Sequence, residues 1–292
     1  MPGRYTVAVA VSICACLLVT AGEVQGAARS GVVPTKAART AVDTGAKPSP
    51  APEQPPAPEQ DDDEKEADDN WKYNVGAQTE INSRLVWRGL AESRGAVMQP
   101  EAWAGLYGLT FSAWSSFILS YEAPRDRFSL SAADLALGYV YTLDRVRVEP
   151  TIAYFYWSPD LAPQSTAEVG LEISYKLGDF RLVSGNNVDV KRRPGAYYGT
   201  VGAKYARTSR QWTVKAFMDL GWATAAFNDE YLARDMTTVN LIEAGASARY
   251  DVTDVLYFAL HTELTSLASL TLQRSVQEPT LVVGGMAFGA EY

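Results

Sequence analysis

From residue 71 onward, polar and apolar positions alternate with a period of two in twelve segments: 71 to 88, 97 to 107, 110 to 121, 131 to 142, 145 to 157, 165 to 176, 179 to 190, 196 to 207, 210 to 223, 239 to 251, 254 to 266 and 280 to 292. Successive side chains of a strand point to opposite sides, so each segment reads as a β-strand with one apolar face. Most are 11 to 13 residues long, and a tilted strand needs about 9 to 11 to cross the hydrocarbon layer. Five gaps are tight turns, around Gly108, Leu143-Asp144, Leu177-Gly178, Thr208-Ser209 and Val252-Thr253; the other six are longer, at 89 to 96, 122 to 130, 158 to 164, 191 to 195, 224 to 238 and 267 to 279. Strict alternation of short and long gaps over an even strand count puts both termini on the short-turn side, which in a bacterial outer-membrane barrel is the periplasm. The pattern predicts an all-β fold, a transmembrane antiparallel up-and-down β-barrel of about twelve strands.

The faces separate by parity. In the first segment Tyr73, Val75, Ala77, Ile81, Leu85 and Trp87 oppose Asn74, Gln78, Glu80, Asn82, Arg84 and Arg88. In the ninth, Trp212, Val214, Ala216, Met218, Leu220 and Trp222 oppose Thr213, Lys215, Phe217, Asp219 and Gly221. Trp103, Phe111 and Trp114 do not separate cleanly. A barrel of about eight strands is filled by its own side chains, so twelve with an apolar interior would enclose a void. The apolar faces are therefore expected to meet lipid, and the charged faces to enclose water, with Tyr and Trp near strand ends as interfacial girdles.

That parity places Glu80, Arg84, Arg88, Arg147, Glu149, Glu168, Glu172, Lys176, Arg181, Lys204, Lys215, Asp219, Glu243, Arg249, His261 and Glu263 on the lumen side, together with Asp189, Lys191, Asp251 and Glu291. Acids and bases are nearly balanced there. A one-sided ladder of like charge is what creates a selecting field, so this lumen suggests ion pairs, leaving either a narrow water path or a closed interior.

Before the barrel lie two segments of different character. Arg4 precedes an apolar run from Val7 to Thr20, too short to span as a helix, and Val24-Gln25-Gly26 follows, so residues 1 to 26 read as a signal peptide. Cys14 and Cys16, the two cysteines, fall inside it. Residues 27 to 70 are Pro- and Ala-rich and end in the acidic run 61 to 69; neither part can bury a core, so a disordered periplasmic tail is expected. The first 70 residues hold 11 acids and 6 bases (−5), leaving −3 of the total −8 for 71 to 292. A barrel so nearly neutral gives no reason to expect a nucleic-acid partner.

Candidate chemistry is sparse. His261 is the only histidine, and no activated nucleophile accompanies it: two residues on stands Glu263, and Ser247 on the preceding strand carries no mark of activation. With no cysteine cluster and scattered carboxylates, no metal or cofactor is expected. Lys191-Arg192-Arg193-Pro194-Gly195 falls in an outside loop, as charges on a turn or as a contact for lipopolysaccharide phosphates. The 224 to 238 loop is long enough either to fold into the mouth as a constriction or to stay exposed.

The stretch Ser83-Arg84-Leu85-Val86-Trp87-Arg88-Gly89-Leu90, with Ser93, Gly95 and Gln99-Pro100 following, resembles the "S-x-Y-x-x-R-G-x-x-x-S" opening of the TorF-type family of proteobacterial outer-membrane barrels. Ile152 to Trp157, Glu168 to Leu171 and Ser174-Tyr175 are similar in order and spacing to that family's middle, while Leu85 stands where the family has an aromatic. The resemblance implies a location and a fold, and assigns no catalytic or binding residues. The functional expectation is a passive channel for small hydrophilic solutes, surrounded by outer-membrane lipid and lipopolysaccharide and delivered by the barrel-assembly machinery through C-terminal Tyr292. A structural or surface-interaction barrel with an occluded lumen is the alternative, and an outer-membrane lipid-modifying enzyme the remote one.

Overall fold

The structure, a computed structural model, describes residues 73–120, 127–158 and 165–292; the expected signal peptide and acidic tail lie outside them. In chain order the elements are β1 (Tyr73–Asn82), β2 (Val86–Trp87), β3 (Leu90–Ala91), β4 (Val97–Leu106), β5 (Leu109–Ile118), β6 (Leu130–Tyr139), β7 (Tyr141–Leu143), β8 (Val146–Trp157), β9 (Thr166–Leu177), β10 (Phe180–Asp189), β11 (Tyr197–Ser209), β12 (Trp212–Ala223), α1 (Ala225–Leu232), β13 (Thr238–Asp251), β14 (Leu256–Leu267), α2 (Leu270–Gln273) and β15 (Thr280–Glu291).

All wall pairings are antiparallel between strands adjacent in the chain, and β1 pairs with β15. β7 continues β6 past Val140, whose N–H donates to the Gly108 carbonyl (2.7 Å), and β6 and β7 both pair with β8. The result is a closed barrel of twelve strands with no free edge, the one sheet arrangement that satisfies every backbone group in lipid. Val75 and Tyr292 exchange N–H to carbonyl bonds of 2.9 and 3.0 Å where the first and last strands meet. At the β4–β5 turn Tyr107 and Gly108 both take left-handed φ (49° and 84°), the two-residue turn whose twist matches that of a hairpin.

The outward face carries a continuous apolar band, including Leu137, Ile152, Val169, Leu182, Val214, Met218, Leu260 and Val282, all exposed. Soluble monomers rarely expose a contiguous apolar surface of this extent, and around a closed twelve-stranded wall it is the lipid-facing band of a transmembrane barrel of the bacterial outer-membrane type. Near the short-turn end, ring pairs Tyr73–Tyr292, Phe180–Tyr205, Trp212–Tyr250 and Phe258–Phe288 lie 4.9 to 6.1 Å apart, an amphipathic girdle at that interface. The three rings of ambiguous parity separate: Trp103 lies over inward-facing Gly76, Trp114 is buried opposite Asp134, and Phe111 is exposed on the outward face.

One strand differs from expectation. The first segment leaves the wall after Asn82, and residues 86 to 91 turn back as the β2–β3 hairpin. Leu85 and Trp87, read from parity as lipid-facing, are each 2% exposed. Ser83 marks the departure: its N–H donates to the Gly284 carbonyl (2.9 Å) and its Oγ accepts the Gly284 N–H (3.1 Å). Apolar side chains that leave a lipid-facing wall still need burial, and here they find it inside the long-loop end of the barrel.

Candidate functional site: a plugged mouth above a charged lumen

Arg88 and Gly89 form the tip of the β2–β3 hairpin, with φ of 45° and 85°, again the paired left-handed values of a two-residue turn. A non-glycine residue rarely adopts that conformation. Around it Trp87, Leu90, Tyr198, Phe227, Tyr231, Leu232, Leu267 and Leu272 form one buried apolar cluster. Ser93 staples the base of the hairpin, its Oγ accepting the Leu85 N–H (2.7 Å) and donating to the Gly95 carbonyl (2.9 Å).

The Arg88 guanidinium is driven into this cluster and held by charge. Nη1 and Nη2 donate to the two oxygens of Glu168 at 3.1 and 2.8 Å, with both side chains at least 95% buried. The same guanidinium lies 4.5 Å from the Trp87 ring centroid, 4.4 Å from Tyr198 and 5.3 Å from Phe227. A planar fork that accepts aromatic faces and a bidentate carboxylate is chemistry available to arginine and not to lysine. Asp134, 1% exposed, stands nearby with Glu168, Arg88 and Glu101 as the charges around it, and its carboxylate oxygens have no hydrogen-bond partner among the described residues.

Helix α1 closes over the hairpin. Asn228 and Asn240 join their side-chain amides at 2.5 and 3.1 Å, and Asn228 Nδ2 also donates to the Met236 carbonyl (2.7 Å). Asp189 Oδ1 accepts the backbone N–H groups of Lys191, Arg192 and Arg193 at 2.9 to 3.1 Å. That loop then pairs Arg192 with Glu230 (2.6 Å) and Arg193 with Asp229 (2.8 Å) on α1. The 224 to 238 loop is thus folded into the mouth, and of the three loop bases read either as charges on a turn or as a phosphate contact, Arg192 and Arg193 face the helix. Burial pushes the Tyr231 phenol above its usual range, so it stays neutral.

Toward the short turns the lumen becomes polar. Gln78 Nε2 donates to Glu101 (2.9 Å) and Tyr257 Oη to Gln78 Oε1 (2.8 Å). Asn82 bonds Glu80 (3.0 Å), Gln99 and His261 Nε2 (2.7 Å). Arg147 pairs with Glu149 (2.8 Å), and Arg249 with Asp251 (2.7 Å) and Glu291 (2.9 Å). Glu263 accepts from Thr265 (2.9 Å), and Arg181 donates to Ser174 (3.3 Å). Glu172, Lys176, Lys204, Lys215, Asp219 and Glu243 face inward by register, and each is engaged.

Two residues assigned to the lumen stand elsewhere. Arg84 lies in the first long loop after the wall has ended and pairs with Glu278 of the last one (2.6 Å). Lys191 sits at the rim, 4.7 Å from the ring of outward-facing Tyr154. Missed from the sequence were inward Glu101 and Asp134; parity with Gln99 and with Ala132 would have found them, had Trp103 and Trp114 not been as fit for lipid as for the lumen. His261 is opposite Ser247 in the register, but its Nε2 is taken by Asn82.

Gly89 gives the plug its sharpest dependence on one residue. A Cβ there would meet Leu241 and Leu267 at 2.8 and 3.0 Å, on a backbone that L-residues rarely adopt. Gly89→Val is expected to expel the hairpin while the wall stays folded, read as new trypsin cleavage at Arg84, Arg88 or Arg94 with unchanged strand content by circular dichroism; an uncut loop would refute it.

No family model matches the chain, and no curated protein sequence matches it. Among solved structures it is similar to the NanC porin (TM-score 0.49, 11% identity, 75% of this chain and 98% of that one). The KdgM porin in complex with disordered oligogalacturonate is similar at TM-score 0.45 and 11% identity, over 75% and 98% of the two chains. An outer membrane channel from Pseudomonas putida F1 is similar at 0.42 and 11%, over 78% and 100%. These values describe barrels alike in general architecture and transfer no substrate.

Proposed function

We propose that the protein is an outer-membrane channel for small hydrophilic solutes whose long-loop mouth is shut, in the conformation described, by the Arg88 hairpin and α1. The observation that carries this reading is the contrast along the lumen. At the long-loop end the interior is packed and apolar, whereas toward the short turns the side chains of Arg147, Glu149 and Arg249 keep 24%, 20% and 27% of their exposure. Twelve strands enclose more than their own side chains fill, so that half holds water. A plug made of two loops, separate from the wall, can move without unfolding the barrel.

In this reading both termini and the short turns face the periplasm, and Tyr292 ends the strand presented to the assembly machinery. Lys191 stands at the lipopolysaccharide rim. His261 has no catalytic part. Kinship with the TorF-type family belongs to the same proposal: Ser83, Arg88, Gly89 and Ser93, which carry the resemblance, each hold the hairpin, so a relative sharing them would share the plug.

The packed mouth favours the second reading, a permanently occluded scaffold. Replacing residues 84 to 94 by a short Gly-Ser linker separates the two. Discrete conductance steps in planar bilayers and liposome swelling in small sugars are expected from that variant, and rare steps from the wild type; a folded but silent variant would leave the scaffold.

A further inference from the structure

The wall is interrupted between β4 and β5. Their ladder runs from Leu106–Leu109 up to Glu101–Trp114, skips Gln99 and Pro100, and resumes at Met98–Phe117. The Leu119 N–H donates to the Ala96 carbonyl (2.9 Å), which fixes the phase: every second residue from Ala96, and so Pro100, turns its backbone toward β5. A proline has no N–H, so the Ser115 carbonyl opposite lacks its ladder donor. On the other edge of β5 the register shifts between Ser116 and Phe117, a bulge at the same height. Ser115 and Ser116 are buried, and neither hydroxyl has a hydrogen-bond partner among the described residues. Outward-facing Ala102, Ala113 and Ala133 flank the break with side chains too short to cover it. A wall in lipid ordinarily satisfies its backbone internally.

Directly behind the break the lumen is apolar. Leu85, Val97, Trp114, Phe155 and Trp157 form a buried cluster distinct from the one around the hairpin tip. All but Leu85 belong to wall strands, and Leu85 belongs to the segment that turns inward with the hairpin. When the hairpin withdraws, Leu85 leaves with it, and an aromatic slot remains against the break. Acids stand beside that slot: Glu101 and Asp134 are the ladder partners of Trp114 on its two neighbouring strands, while the Arg88 guanidinium is committed to Glu168. An anionic head is therefore repelled. We propose that the β4–β5 seam is a lateral port, through which a single-chain lipid with a neutral, hydroxyl-bearing head passes between the lumen and the surrounding bilayer. Its chain occupies the slot that Leu85 vacates. Its hydroxyl donates to the Ser115 carbonyl and accepts from the serine hydroxyls, the two roles that one hydroxyl can fill. The port rests on the reading of the hairpin as movable, and adds a second class of solute to the channel.

The test folds the complete chain, carrying Leu85→Ala to empty the slot, into phosphatidylcholine vesicles that contain a monoacylglycerol with a diazirine near the end of its chain. After irradiation, mass spectrometry is expected to find adducts on inward Trp114, Phe155 or Trp157, with adducts on outward Leu137 and Ile152 as the internal reference. Adding Pro100→Val returns an N–H to the ladder on a side chain suited to a lipid-facing strand. It should lower the inward adducts roughly fivefold, the worth of one backbone hydrogen bond, and leave the outward ones unchanged. The same chain on a lysophosphatidate head should label the inward residues far less. If Leu85→Ala does not fold, the variant with residues 84 to 94 replaced by a linker empties the same space. Adducts confined to outward residues overturn the proposal, as do inward adducts that Pro100→Val leaves unchanged, which would have entered by the mouth, or inward labelling equal for both heads. Labelling needs no ion flow, so its failure and that of the channel reading are distinct.

Discussion

Arg88→Ala should turn a nearly silent barrel into a conducting one. The substitution leaves Glu168 buried, with Asp134 beside it, and an uncompensated buried charge costs about 3–5 kcal/mol. Water entering the plug relieves that cost, so the open state gains roughly a hundredfold or more over the closed one. The aromatic faces of Trp87, Tyr198 and Phe227 lose their cation at the same time. Bilayer recordings are expected to show long openings for Arg88→Ala and Glu168→Gln alike. The double variant, with neither charge, should close again in part, because two absent partners leave less to hydrate than one. Recordings from Arg88→Ala indistinguishable from wild type would show that the ion pair does not hold the plug.

A second expected result concerns the wall. Ile152 and Thr151 are consecutive residues in the middle of β8, and Ile152 is 59% exposed between outward Leu137 and Val169. Ile152→Arg puts a cation against lipid and is expected to destabilise the barrel by about 2–4 kcal/mol, the cost near the bilayer midplane. Thr151→Arg points the same side chain into the lumen, where its neighbours across the ladder, Gly138 and Gly170, carry no side chain and Glu149 stands on the same face. It should change stability by less than about 1 kcal/mol. Urea unfolding in lipid vesicles reads both; equal losses would mean that the faces are misassigned.

Much of the wall was legible in the chain because a strand reports its two faces through a period of two, and lipid and water impose opposite chemistry on them. Segments around Leu171 and Val214 carried clean signals of that kind. Parity fails where one side chain suits both environments: Trp103 and Trp114 are apolar enough for lipid, yet they lie inside, and they obscured Glu101 and Asp134.

The alternation of residues 71 to 292 was enough to dictate the twelve strands, their order and which face meets lipid, since these follow from local periodicity and the length of the connections. It could not dictate where β1 ends. Ile81, Leu85 and Trp87 keep the same parity through the departure at Ser83, so nothing local distinguishes a strand continuing along the wall from a hairpin turning inward. That choice belongs to distant partners: Gly284 takes the hydrogen bonds at Ser83, and Glu168 receives Arg88 from 80 residues away. The apolar ring of Tyr198, Phe227 and Leu272 buries what the hairpin brings. Burial and charge pairing between remote segments arise only once the ring has closed, and they convert an open cylinder into one with a stopper.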